Sequence, residues 1–323
     1  MNMNRRVCLS LAAVGLAHPL QTLAQAWPNR PMRLLVPYAP GGPTDILARL
    51  VAPVLSERLG QPVVVENVPG AGGNIGMAQG AKAAPDGHTL TVVAPNIVIN
   101  PVLYARTGYD PYADFAPVTV AVRSAVVASI HPSVPANTLQ ELIALVKSQP
   151  GRHAYASPGN GTPPHLVAEQ LRLALGLDLA HIPYSSAGQA VAAALSGQVP
   201  IVFSSTPPAL AHIASGKLRG LAVTGPVRVG ELPNTPTMSE AGHANIDGEG
   251  WFAFVVPSAT PRDIVGALYR AVVHAVESSA VRARLPGLGF EQVLSSPEAS
   301  ATRFRQEGEK WTRVIRSAGI KLD

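Results

Sequence analysis

A short apolar run, a loop of glycine and proline, then apolar residues at helical spacing: this unit recurs along the chain and leaves few folds open to it. "RLLVPYAPGGPTDILARLVAPVLSERLG" is the first copy, with Ile46, Leu47, Leu50, Val51, Val54 and Leu55 on one helical face. "PVVVENVPGAGGNIGMAQGAKAAP", "RHAYASPGNGTPPHLVAEQLRLALG", "AHIPYSSAGQAVAAALSGQ" and "VPIVFSSTPPALAHIASGK" repeat the plan, and "HTLTVVAPN" and "LRGLAVTG" read as further strands. Parallel strands need helical crossovers, and this spacing supplies them. The class is therefore α/β, with mostly parallel sheets flanked by helices. "TLQELIALVKSQPG" adds a helix with Thr138 as N-cap and Glu141 three residues on, a capping box. At 323 residues the chain is long enough for two domains. The proline-rich stretches at 129–137 and 255–263 are candidate crossings between them, so that the first domain holds both chain ends.

The first residues belong to neither domain. Arg5 and Arg6 precede an apolar run from Val7 to Ala17, and Ala24-Gln25-Ala26 forms a small-x-small site. That order predicts a secretory signal over 1–26, cleaved after Ala26 so that the exported chain begins at Trp27 in the periplasm. The single cysteine, Cys8, lies inside that signal, so no disulfide or thiolate metal site is expected in the mature chain. Formal net charge is +5, about +3 without Arg5 and Arg6, and the basic residues are scattered. Nothing in this pattern suits nucleic acid, and no later run is long enough to span a bilayer.

In open α/β sheets, ligands bind beyond the carboxyl ends of the strands. The loops there are "YAPGGPTD", "NVPGAGGNIG", "APN", "SPGNGTPPH", "PYSSAG" and "FSSTPP", almost without charge apart from Asp45. Glycine lets backbone approach a ligand, proline starts a helix, and the free N–H groups of a first turn favour an anion. Candidate ligand residues in the first part of the chain are Tyr38, Gly41, Gly42, Thr44 and Asp45, then Gly72, Gly73 and Asn74, then Asn96. Further on they are Ser157, Asn160, Gly161 and Thr162, then Ser185 and Ser186, then Ser204 and Ser205. Asp45, at the third helical position, also suits a role in its own helix. "GAGGNIG" has the order G-x-G-G-x-x-G, not a dinucleotide fingerprint, and there is no P-loop. The histidines form no metal pair, and no acidic cluster suits a cation. No cofactor or metal is expected. An exported hydrolase using Ser157 or Ser205 stands as the rival reading, although no G-x-S-x-G elbow surrounds either serine.

The order of the motifs carries a resemblance. "WPNRPMRLLVPYAPGGPTDILARL", "YDPYADFAPVTV", "IPYSSAGQAVAAALSGQV", "SGKLRGLAVT", "ELPNTPTMSEAG" and "GWFAFVVPSATPRDIV" resemble, in sequence order, the substrate receptors of tripartite tricarboxylate transporters, the Bug receptors. The resemblance implies a two-lobed periplasmic binding protein of type II-like architecture, with lobe one at 27–127 plus 253–323 and lobe two at 128–252. It also implies a small organic acid, a carboxylate, held in the cleft of a monomer and delivered to membrane permease subunits. A sensor feeding a membrane signalling partner would use the same cleft. Ser204 stands where many relatives carry aspartate, and Ser185-Ser186 where Lys-Gly is common.

Overall fold

The computed structural model describes residues 27–318. The predicted signal, with Arg5, Arg6, Cys8 and the cleavage site, lies outside them. The first sheet begins with β1 (Met32–Val36), β2 (Val63–Asn67) and β3 (Thr89–Val93). β1 lies between the other two, parallel to both, with Leu34 opposite Val65 and Leu90. α1 (Pro43–Leu59), α2 (Asn74–Ala81) and α3 (Asn96–Leu103) follow these strands in turn.

β4 (Phe115–Ile130) runs for 16 residues, about 50 Å of extended chain. Its first part, Phe115–Ala125, pairs with β9 (Glu249–Pro257) and joins the first sheet, in the order β2-β1-β3-β9-β4. From Val126 the same strand pairs with β7 (Ile201–Ser205), and from Val127 with β8 (Arg219–Val223), in a second sheet that continues from β7 to β5 (His153–Ser157) and β6 (Leu179–Pro183). The two ladders abut across one peptide bond: Ala125 is opposite Glu249 and Val126 is opposite Ser205. The two-residue β10 (Glu291–Gln292) pairs with β4 at the first sheet.

α4 (Leu139–Ser148), α5 (Pro163–Leu175), α6 (Ala187–Leu195) and α7 (Thr206–Ala214) flank the second sheet. α8 (Arg262–Glu277), the short α9 (Ser279–Arg282) and α10 (Pro297–Ala318) complete the first lobe. The capping box is formed: Thr138 Oγ1 accepts from Glu141 N, and Glu141 Oε2 accepts from Asn137 N, one residue before the cap.

The architecture is thus two α/β lobes, as the spacing and the resemblance imply. Parallel pairing holds for β1, β2 and β3 and for β5, β6 and β7. The pairs made by β4 are antiparallel, and so is β3 with β9; β4 leaves the first lobe and β9 returns to it, so those two run in opposite senses.

Two-residue periodicity assigns the core. On β9, Phe252, Phe254 and Val256 enter the cluster under α1 and α8, while Trp251, Ala253 and Val255 enter one with Met77, Val93 and Phe304. The second sheet divides likewise: Val126, Ala128, Ile201 and Phe203 face one side, and Val127 and Val202 the other. Both faces of both sheets are covered, so these strands read as near-continuous apolar runs. At the C-terminal helix, Trp311 and Ile315 of α10 pack with Leu166 of α5 and tie the first lobe to the second.

Candidate functional site

The carboxyl ends of the strands from both lobes meet at one cavity. The starts of five helices wall it: Gly42, Pro43 and Thr44 at α1, Pro95 and Asn96 at α3, Thr162 and Pro163 at α5, Ser186 and Ala187 at α6, and Ser205 at α7. Gly250 and Phe252 of β9 close one side, and Tyr38 another. Among the described residues no Lys, Arg, Asp or Glu lines it.

α1 shows how the local sequence builds such a wall. Gly42 is the N-cap in extended conformation (φ −84°, ψ 167°) and Pro43 sits in the first turn. Asp45 turns back behind the loop, where its carboxylate accepts from Gly41 N at 3.0 Å, Arg49 Nε at 2.9 Å and Asn67 Nδ2 at 3.0 Å. Burial opposes its charge, but the bonds from Arg49, Gly41 and Asn67 outweigh burial and hold the carboxyl below the usual aspartate range. Asp45 therefore fixes the turn and stands off the cavity wall. The Thr44 hydroxyl, on a residue 2 % exposed, and the Tyr38 hydroxyl have no hydrogen-bond partner among the described residues. Burial raises the Tyr38 pKa, so its hydroxyl is a neutral donor.

The helix starts are not equivalent. At α6 the Ser186 hydroxyl caps Gln189 N, and the N–H groups of Ala187 and Gly188 have no intrahelical acceptor. The same holds for Thr44 and Asp45 at α1. At α5, Pro163 and Pro164 carry no N–H, and His165 N is taken by Thr162 Oγ1. α5 contributes its dipole and an apolar proline wall, but no first-turn donor.

Of the sequence candidates, Tyr38, Gly42, Thr44, Asn96, Thr162, Ser186 and Ser205 line the cavity. Gly41, Gly72, Asn160 and Gly161 sit instead where the lobes touch. Gly41 meets Gly188, Gly72 lies against the Asn160 carbonyl, and Gly161 lies against Asn100 and Leu103. Gly73 packs under the Tyr38 ring, and Asn74 Oδ1 accepts from Asn100 Nδ2 at 2.6 Å. Ser185 is exposed, and its N–H donates to Gln189 Oε1. Ser204 is wholly buried in β7 opposite Val127, without a partner for its hydroxyl.

Ser157 is also wholly buried, 2.6 Å from His181 Nε2, and its Oγ accepts from Gly159 N. His181 stacks between Tyr155 (4.8 Å) and His165 (4.3 Å), and His165 Nδ1 accepts from Gly161 N. This ring stack braces the Gly159–Thr162 turn from beneath and leaves Ser157 off the cavity wall.

Sequence reasoning missed Gly250 and Phe252, because it searched only strand-to-helix loops. The available signal was a glycine opening an apolar strand, "EGWFAFVV", where close backbone approach is expected.

Two lobes joined by shared strands, with a cavity of helix starts between them, define a solute-binding protein of the periplasmic-binding-protein type. Residues 47–320 match the tripartite tricarboxylate transporter family receptor, and the chain belongs to that family. It is a family of receptors, not of enzymes. The protein BugT of Bordetella pertussis is 35 % identical across 100 % of both chains. The structure of R. palustris Rpa4515 with adipate is 32 % identical, covers 91 % of this chain and 99 % of that one, and superposes with a TM-score of 0.88. MatC (Rpa3494) of Rhodopseudomonas palustris with bound malate is 32 % identical, covers 90 % and 100 %, and has a TM-score of 0.85.

Proposed function

We propose that this chain captures a small organic acid in the interlobe cavity and delivers it to the membrane permease subunits of a tripartite tricarboxylate-type transporter. The observation that carries this reading is the convergence of helix starts from both lobes on a cavity with no charged side chain. Aligned peptide dipoles and first-turn N–H groups at α1 and α6 stabilise a carboxylate without an ion pair. The orphan hydroxyls of Thr44 and Tyr38 add neutral donors. Relatives holding adipate and malate support the same ligand class. Water bridges the remaining gaps.

The lobes of this receptor divide where pairing changes, with Val126 and Val127 in the second and residues 249–252 in the first, a shift of a few residues from the expected 127/128 and 252/253, and it works as a periplasmic monomer after loss of residues 1–26. Among the described residues no helix is long and apolar enough to cross a membrane. N-terminal sequencing of exported protein is expected to begin at Trp27; Met1 on the abundant form would refute the cleavage.

A thermal-shift screen of mono-, di- and tricarboxylates tests the ligand class. An acid at a hundred times its Kd adds about 2.7 kcal/mol of stability; no shift with any acid would sink the proposal. Titration of the best acid against Gly42→Val tests the site. A Cβ at position 42 would lie 3.8 Å from Ser186 Cβ and 3.9 Å from Ala187 N, so the branches of valine crowd the α6 donors. The φ of −84° accepts any residue, so the fold is kept. Binding is expected to fall at least tenfold, about 1.4 kcal/mol; unchanged affinity in a folded variant would remove the α1 start from the site.

A further inference from the structure

The first turn of α6 touches the α1 loop with almost nothing between the two backbones. A Cβ placed on Gly188 would lie 2.7 Å from Gly41 O, 3.0 Å from Gly41 C and 3.3 Å from Gly41 Cα. All three are backbone atoms, so no side-chain rotation can relieve the contact. Gly188 is the second residue of α6, and its own φ is outside the left-handed region. Its backbone therefore does not require glycine, and the helix itself would favour alanine. What requires glycine is the opposite lobe. Beside it, the Ser186 hydroxyl donates to the Pro40 carbonyl across the cleft at 3.3 Å. On the other lip Gly161 meets Asn100 and Leu103, where a Cβ would come within 2.9 Å of both side chains.

We infer that Gly188 is a positioning residue for lobe closure: its missing side chain lets α6 seat against Gly41, and its bulk sets how completely the cleft shuts. This deepens the reading of the cavity as a solute trap and rests on it for its purpose. Any group larger than hydrogen at 188 would hold the lips apart and leave the cavity open to solvent.

The test uses no solute. A Cβ at position 42 would lie 3.8 Å from Ser186 Cβ, the usual Cβ separation in a disulfide. The pair Gly42→Cys and Ser186→Cys, in a Cys8→Ser background, therefore reports shut lips by cross-linking under mild oxidation. Adding Gly188→Ala is expected to slow cross-linking at least tenfold, with the melting temperature equal to or above that of the reporter chain. Adding Gly230→Ala, where a Cβ meets nothing within 4 Å, is expected to leave the rate unchanged. Cross-linking of Gly188→Ala at the reporter's rate would overturn the inference, as would equal slowing by Gly230→Ala or a reporter that never cross-links. Failure of every acid in the thermal screen would sink the solute reading but leave this rate comparison standing, so the two fail separately.

Discussion

Acidification from neutral pH to pH 4 is expected to cost the folded chain about 3 kcal/mol through His165 alone. Burial, more than any neighbouring charge, holds His165 neutral down to about 4, with Glu169 working against the shift and Arg172 with it. His181 is held down to about 3, again by burial first and then by His165 against its face. In the unfolded chain both rings titrate near 6.5. Between 6.5 and 4 the unfolded state binds more protons, so stability rises with pH across that window. The contribution is fully present above 6.5 and is lost as pH falls through about 4. Glu169 has a lower window: burial opposes its charge, but bonds from Arg172 and Tyr155 depress its pKa, so its share is lost only as pH falls through that depressed value. Urea unfolding at a series of pH values measures the slope, and His165→Gln, which can still accept from Gly161 N, should flatten it. Identical slopes for the two chains between pH 6.5 and 4 would refute the assignment. Because His165 braces the Gly161 turn at the lip, ligand affinity is expected to weaken over the same range.

Trp251→Ala is the most damaging single substitution expected in the strands that join the lobes. Trp251 is fully buried on β9, lies opposite Arg123 of β4, and packs on Phe304 of α10 with ring centroids 4.8 Å apart. Removing a side chain of that size from a filled core costs about 3–5 kcal/mol. The melting temperature should fall on the order of 10 °C. Trp251 also separates Gly250 and Phe252 on the cavity wall, so acid binding should weaken beyond what the lost stability alone produces. Trp251→Phe should retain most of both. A loss below about 1 kcal/mol in urea would mean the site collapses without cost and the residue carries little packing.

Local features were legible in the sequence because their causes are local. Alternation of apolar runs and helical periods, Pro43 in a first turn, and the Thr138–Glu141 cap each follow from a few neighbouring residues, and each is present in the fold. The same local reading took Gly41, Gly42, Gly72, Gly73 and Gly161 of the strand-end loops as ligand contacts. Gly41, Gly72 and Gly161 lie at the seam between lobes, in contacts between residues 58 to 147 positions apart, to which no period or cap responds. Gly188, the tightest member of that seam, closes the loop "PYSSAG" but was not among the individual candidate residues. β4 was likewise opaque: Arg123 and Ser124 interrupt its apolar residues just before the switch, but no local rule says that pairing passes there from β9 to β7. The missing donors at α5 were within reach, since "TPP" removes two N–H groups by composition alone.

The abutment of the two ladders at Ala125 and Val126 has a mechanical meaning. A strand paired on both sides of one peptide bond resists sliding, so the lobes are left with rotation about that point and about the start of β9. The molecule then works as a lever with a short fulcrum and long arms. A rotation of the lobes about that point would be magnified at the lips, where Gly41 faces Gly188.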